Sequence, residues 1–118
     1  MSHLRLWQPG DPVVAVPIRV LVGVATYSAL DLRLLEIIDR KLEEASRNGA
    51  TLHVEVFNVL ECRDQADFEK YIPGIGTVFQ TPVVGIWENG VLVHRATGAA
   101  ARSLLESRLN TDLDQIES

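Results

Sequence analysis

The order of apolar and polar positions predicts strands and helices in turn along the first half of the chain. The run from Arg19 to Ala25 is short, almost continuously apolar and rich in β-branched residues, which is typical of a strand buried on both faces. From Ser28 to Asn48-Gly49, apolar residues recur at spacings of three and four and predict an amphipathic helix. Its predicted inward residues are Leu30, Leu34, Ile37, Ile38, Leu42 and Ala45. A second strand is predicted over 51–59, so the three elements form a right-handed parallel unit.

The second half of the chain predicts a short helix, a hairpin and a closing helix. Asp64 has the position of a helix start. Asn89-Gly90 separates two apolar runs, 83–87 and 91–95, and this pair of residues is typical of the type I′ turn of an antiparallel hairpin. The segment 99–109 has apolar residues in helical register and predicts an amphipathic last helix.

These elements predict one α/β domain. With 118 residues and 13.1 kDa, the chain has room for a single compact unit. Residues 1–17 contain three prolines and are predicted to be an irregular lead-in with at most one short edge strand. The domain is predicted over 18–109, with a mixed sheet of about four strands and helices on both faces, and 110–118 is predicted to be a polar tail.

Composition and charge narrow the classes of function. Hydrophobic residues make up 47% of the chain and charged residues 23%, which predicts an ordinary packed core. The net charge of −5 argues against a nucleic-acid partner, because the protein as a whole repels phosphate backbones. No apolar run is long enough to cross a membrane, and the first residues do not resemble a secretion signal. We therefore expect a cytoplasmic protein.

The chain has a single cysteine, Cys62, and this limits its chemistry. One cysteine can form no internal disulfide, no Cys-x-x-Cys redox pair and no multi-cysteine zinc site. The three histidines, His3, His53 and His94, lack the paired spacing of metal ligands. We expect neither a metal nor another cofactor.

The stretch from Thr81 to Gly98 resembles part of a known family. Thr81-Pro82, the following apolar strand, the Asn89-Gly90 hairpin and Gly98 before the last helix are similar to the loop, cis-proline strand, hairpin and glycine of the thioredoxin-like fold. The resemblance covers about 18–109 and implies a three-layer α/β/α sandwich with a cis bond at Thr81-Pro82. The connection between the second strand and Pro82 is longer than is usual in the family, so 72–80 is expected to be a local specialisation.

The same resemblance implies that the family's redox residues are missing. Tyr27 takes the place of the family's aromatic residue, Ser28 that of the attacking cysteine and Asp31 that of the second cysteine. Val22 and Val56 take the places of the buried carboxylate and the lysine that assist proton transfer. The resemblance thus implies the family's scaffold without its dithiol chemistry.

The residues in the cysteine positions are interpreted as structural. A serine hydroxyl gains little from a helix N-terminus and needs an adjacent base, which the local sequence lacks, so a catalytic Ser28 is not expected. We interpret Ser28 as the N-cap and Asp31 as a first-turn carboxylate, together worth about 1–2 kcal/mol of helix stability. A cis bond before Pro82 would turn the Thr81 backbone outward beside Tyr27, where an extended peptide could pair with it as an added strand.

The leading hypothesis is a redox-inactive, thioredoxin-like binding or chaperone-like module that recognises a protein or peptide partner. No catalytic residue is expected, and the predicted contact residues are Tyr27, Ser28, Asp31, Thr81 and Pro82. The alternative is a thiol-dependent or glutathione-related redox enzyme that uses Cys62 as a reactive thiol or the groove beside Thr81. A third hypothesis is a homodimer that packs through its sheet edge or last helix.

Overall fold

The computed structural model describes residues 4–47, 49 and 53–117, with side chains as far as Leu109. The described residues form five strands and three α-helices, and a 3₁₀ turn at Val59–Glu61 follows the third strand. In chain order the elements are β1 (Arg5–Leu6), β2 (Ile18–Val24), α1 (Ala29–Arg47), β3 (His53–Asn58), α2 (Gln65–Tyr71), β4 (Val83–Glu88), β5 (Val91–Thr97) and α3 (Gly98–Glu117).

The strands form one mixed sheet in the order β1-β3-β2-β4-β5. Strands β1 and β2 both run parallel to β3, while β4 runs antiparallel to β2 and to β5. The predicted parallel β2-α1-β3 unit and the predicted hairpin are thereby confirmed. The sheet has five strands in the described part of the chain rather than about four, because the two residues of β1 pair with β3 and extend that edge.

Alternate residues of β2 divide the core between the two faces of the sheet. Val20, Val22 and Val24 pack with the apolar sides of α1 and α3, whereas Leu21 belongs to the cluster that contains α2 and the lead-in. This alternation follows from the two-residue period of a strand. The apolar run at 19–25 was therefore correctly interpreted as a strand covered on both sides.

Two local motifs have the conformations that their residues favour. The Asp64 side chain accepts a hydrogen bond from the Asp67 backbone N–H at 3.1 Å and caps α2, as predicted. Asn89 and Gly90 both have positive φ, at 52° and 84°, as a type I′ turn requires.

Some predicted features differ from the structure or lie outside the residues it describes. Leu30 was expected to face inward, but its side chain is 65% exposed, and the neighbouring Asp31 takes the buried position instead. Helix α3 continues through most of the segment expected to be a tail, because neither glycine nor proline interrupts it after Gly98. Asn48 of the predicted helix end, the predicted start of the second strand at 51–52, and His3 lie outside the described residues.

Candidate functional site

The loop that joins β2 to α1 is closed by hydrogen bonds around Ser28. The Ser28 backbone N–H donates to the Ala25 carbonyl at 3.0 Å, and the Ser28 hydroxyl oxygen accepts from the Asp31 backbone N–H at 3.3 Å. Ser28 is therefore the N-cap of α1, in agreement with its interpretation from the sequence. The cap fixes Tyr27 at the outer corner of the loop, where its side chain is 79% exposed.

Asp31 is a fully buried carboxylate whose two oxygens both have partners. One oxygen accepts from the Ala25 backbone N–H at 3.0 Å, and the other accepts from the Arg102 guanidinium of α3 at 3.1 Å. The interpretation of Asp31 as a first-turn carboxylate missed this burial, because Arg102 lies 71 residues further along the chain. Asp31 links the loop, α1 and α3 through polar contacts at the position where the resemblance implies a second sulfur.

The backbone at Thr81 is available for pairing. The Thr81-Pro82 peptide bond is cis, and the Pro82 carbonyl accepts a hydrogen bond from the Gly98 N–H at 2.8 Å. Thr81 lies just before β4, and neither its N–H nor its carbonyl makes a backbone hydrogen bond to another described residue. Its side chain is half-buried, whereas Pro82 is buried. An extended ligand could therefore pair with Thr81 while Pro82 stays in the protein.

Gly98 fits where a larger residue would not. Its φ is +63°, in the left-handed region, and an added Cβ would overlap the side chain of Gln80. This close approach brings the first turn of α3 against the residues that precede Thr81. Gly98 and Gln80 thereby form part of the wall of a groove beside Thr81.

A groove of about 580 Å³ lies beside Thr81. Three of its apolar side chains are strongly exposed: Tyr27, Leu60 at 56% and Phe79 at 88%. Contiguous exposed apolar groups are uncommon on soluble domains and are typical of contact surfaces. The lining residues are Tyr27, Val59, Leu60, Phe68, Val78, Phe79, Gln80, Thr81, Gly98, Ala99 and Arg102.

The structure brings together only part of the predicted contact set. Tyr27 and Thr81 line the groove, whereas Ser28, Asp31 and Pro82 do not and instead hold the surrounding backbone in place. Residues missed from the sequence are Leu60, Phe79 and Arg102. The unusual length of 72–80 was the available indication, because this loop leads into the groove through Val78, Phe79 and Gln80.

Cys62 does not line the groove, and its surroundings oppose a thiolate. Burial, followed by the negative charges of Asp67, Glu61 and Asp64, raises the pKa of the Cys62 thiol to about 11. A reactive cysteine needs the opposite, a pKa lowered toward neutrality by positive charge or a helix N-terminus. The environment of Cys62 therefore provides no activation for the thiol-dependent alternative.

The two positions that the resemblance assigns to the charged groups assisting proton transfer are occupied by valine. Val22 and Val56 are neighbours across the β2-β3 ladder, and both are buried in the apolar core. Among residues with described positions, no group of three or more histidine, cysteine and carboxylate side chains could hold a metal ion. The described helices include none with the length and apolar character needed to span a bilayer.

Comparisons with known proteins identify the architecture. No family model and no curated protein sequence matches the chain. Among solved structures, it is similar to a thioredoxin from Fasciola hepatica, with a TM-score of 0.53, 15% identity and coverage of 80% of each chain. An oxidised thioredoxin from Plasmodium falciparum gives a TM-score of 0.52 at 14% identity, again with 80% of each chain covered. At these identities the similarity shows the fold alone: the chain has a thioredoxin-like α/β fold, and its single cysteine leaves it without a Cys-x-x-Cys motif.

Proposed function

We propose that this protein is a redox-inactive, thioredoxin-like binding module that holds an extended segment of a protein partner in the groove beside Thr81. The observation that carries the proposal is the unpaired backbone of Thr81, which lies at the edge of an apolar groove. Main-chain hydrogen bonds give affinity in strand addition, while neighbouring pockets select side chains. The groove offers both kinds of contact.

The side chains around Thr81 favour an apolar ligand segment. Tyr27, Leu60 and Phe79 are largely exposed, and burying them against a partner would remove apolar surface from water. Arg102 is the only charged residue among those lining the groove, and Asp31 already engages its guanidinium. An extended segment with apolar side chains on the face toward the groove fits this surface better than a highly charged one.

The missing sulfur atoms support a binding role over electron transfer. Ser28 and Asp31 are occupied in capping and in linking helices, and the one thiol lies away from the groove lining with a raised pKa. In an insulin reduction assay with dithiothreitol, we expect turbidity to develop no faster than in the blank without protein. Turnover comparable to that of a dithiol thioredoxin would contradict the proposal.

The binding test uses peptides selected from a random 12-residue display library on the folded protein. The tightest soluble peptide is then measured by calorimetry against the wild type, Phe79→Ser and Val91→Ser. Val91 is a matched control, because it is exposed on the hairpin and does not line the groove. We expect Phe79→Ser to weaken binding at least about tenfold, in the range of a buried aromatic anchor, and Val91→Ser to leave it unchanged.

A second arm tests the role of the Thr81 backbone. Single N-methyl groups introduced along the peptide should abolish binding at one or two positions and have little effect elsewhere, because strand addition uses alternate backbone groups. Equal weakening by Phe79→Ser and Val91→Ser, or insensitivity to every N-methyl group, would contradict the proposal. Specific shifts of the groove resonances on adding glutathione, with none from peptides, would favour the glutathione-related alternative.

Besides peptide binding, we propose a cytoplasmic location and a homodimer. Strand β5 is at one edge of the sheet, and Val91 and Val93 on it are exposed, so this edge is where a second copy would pair. Sedimentation equilibrium of the wild type and Val91→Ser distinguishes a dimer formed through this edge from a monomer.

A further inference from the structure

A second cavity, of about 310 Å³, lies on the α2 side of the sheet near the start of β2. It is distinct from the groove, because no residue lines both: α2 contributes Phe68 to the groove and Lys70 and Tyr71 to this cavity. Its volume is near the lower limit of about 300 Å³ for small-molecule sites in proteins. Its lining residues are Trp7, Val13, Val14, Val16, Arg19, Lys70, Tyr71, Pro73, Trp87 and Gly90.

The cavity contains a buried guanidinium that is only partly satisfied. The Arg19 side chain is 5% exposed and lies between two indole rings, 4.7 Å from the Trp7 centroid and 4.6 Å from that of Trp87. Its Nε donates to a Glu55 carboxylate oxygen at 2.5 Å, but its buried Nη2 has no hydrogen-bond acceptor among the described residues. Buried donors are normally paired, so this nitrogen indicates a missing acceptor.

The other lining groups indicate which acceptor would fit. Arg19 and Lys70 are the charged residues among those that line the cavity, and no carboxylate is among them. Glu55 and Asp67, which pair with these two cations, are not lining residues. The remaining walls are aromatic, aliphatic or glycine, so a ligand would meet positive charge and apolar surface together.

We propose that this cavity binds a small apolar monocarboxylate, whose carboxylate accepts a hydrogen bond from Arg19 and whose hydrocarbon part packs against the lead-in valines. The assignment goes beyond the peptide-binding function and does not depend on it. The lead-in forms one wall, and it is held to the domain by the Trp7 backbone N–H, which donates to the Val56 carbonyl of β3 at 3.1 Å, while the Trp7 indole N–H donates to the Pro12 carbonyl within the lead-in at 3.3 Å. Filling the cavity would therefore also hold 8–16 against the sheet.

Titration with phenylacetate tests this proposal directly. Trp7 and Trp87 are the two tryptophans of the chain, so indole fluorescence and the two indole N–H resonances report on the cavity. We expect a saturable change with phenylacetate, a response at least about tenfold weaker with the neutral phenylacetamide, and none with the cationic phenethylamine. These three probes share the same ring and differ in the charge of the polar group.

A pair of variants at Val14 locates the binding site. Val14 lines the cavity in an irregular segment and is partly exposed, so a polar replacement there is compatible with folding. Val14→Asp should weaken phenylacetate binding at least about tenfold through repulsion between carboxylates, whereas Val14→Asn, of nearly the same shape, should change it by less than about threefold. Circular dichroism of both variants checks the fold.

Four results would each overturn the proposal. The first is the absence of a saturable change up to about 10 mM phenylacetate, since an affinity in the millimolar range is worth only about 4 kcal/mol. The second is an equal response to phenylacetate and phenylacetamide, and the third is an equal affinity of Val14→Asp and Val14→Asn for phenylacetate. The fourth is a set of resonance shifts confined to the groove residues Tyr27 and Phe79. The result in support is charge-selective binding that Val14→Asp weakens and Val14→Asn preserves.

Discussion

The groove beside Thr81 and the cavity around Arg19 lie toward opposite ends of strand β2, and they accommodate buried charge in different ways. At the groove, the buried carboxylate of Asp31 has a partner for each oxygen and does not line the open surface. At the cavity, the buried guanidinium of Arg19 lines the space and keeps one nitrogen without an acceptor. Arg102, which lines the groove, also has a buried nitrogen, Nε, without an acceptor among the described residues, but its side chain is 33% exposed, whereas that of Arg19 is 5% exposed. The comparison therefore separates a paired cation that water reaches from one that is almost completely shielded.

The largest expected effect is at the cavity end. Arg19→Met leaves the buried Glu55 carboxylate without its cation, and removing one partner of a buried pair typically costs about 3–5 kcal/mol. The free energy of unfolding measured in urea should fall by that amount. In the double variant Arg19→Met/Glu55→Leu, more than half of the loss should be recovered, because no buried charge is left unpaired. A loss below about 1 kcal/mol in the single variant would mean that the pair is not buried in solution.

A smaller loss is expected at the groove end. Asp31→Ala removes the acceptor for the Ala25 N–H and the partner of Arg102, which should lower the free energy of unfolding by about 2–3 kcal/mol. The loss is smaller than for Arg19 because the Arg102 side chain is 33% exposed and water can solvate it. Asp31→Asn keeps an acceptor for the Ala25 N–H and should cost about half as much. Equal losses in the two variants would show that charge contributes nothing at this position.

The single thiol gives a chemical test at the end of the sheet where the groove lies. With its pKa raised to about 11, Cys62 should react with iodoacetamide at pH 8 at least about 30-fold more slowly in the folded protein than in urea. The folded state favours the protonated thiol, so its contribution to stability is full below the unfolded pKa of about 8.5 and declines as the pH rises toward 11. A rate midpoint near pH 7 would restore the thiol-dependent alternative.

The smallest effect on stability is expected for the groove surface itself. Phe79 is 88% exposed, so Phe79→Ser should change the free energy of unfolding by less than about 0.5 kcal/mol while it weakens peptide binding. Thermal unfolding of Phe79→Ser beside the wild type checks this. A loss of several kcal/mol would show that Phe79 packs in the core and is unavailable to a partner.

Local sequence patterns were sufficient for most elements of the fold. Asn89-Gly90 specifies its turn because the two residues tolerate positive φ, and Asp64 and Ser28 specify helix starts because their side chains accept backbone N–H groups nearby. These interactions span at most three residues. For the two-residue strand β1, the local pattern indicated only that an edge strand could lie in the lead-in and did not locate it. Its position depends on pairing with β3, which lies about fifty residues further along the chain.

The candidate site was predicted less completely, because its residues come from distant parts of the chain. Tyr27 and Thr81 were identified through the resemblance and do line the groove, but Leu60, Phe79 and Arg102 come from two loops and a helix with no shared pattern. No sequence pattern indicated the Arg19 cavity either. Arg19 sits within an apolar run, and its partners Trp7, Glu55 and Trp87 come from three other segments.

The amino-acid sequence by itself determined the α/β architecture and the absence of a dithiol, since periodicity, capping and cysteine content depend on neighbouring residues or on composition alone. The tertiary structure decided which polar residues are buried. Helical periodicity favoured Leu30 over Asp31 as an inward residue, because a carboxylate is costly to bury without partners. Folding brings Ala25 and Arg102 to the two oxygens of Asp31, and their hydrogen bonds offset the cost of removing the carboxylate from water. Asp31 is therefore buried and Leu30 exposed, the opposite of the expectation from periodicity.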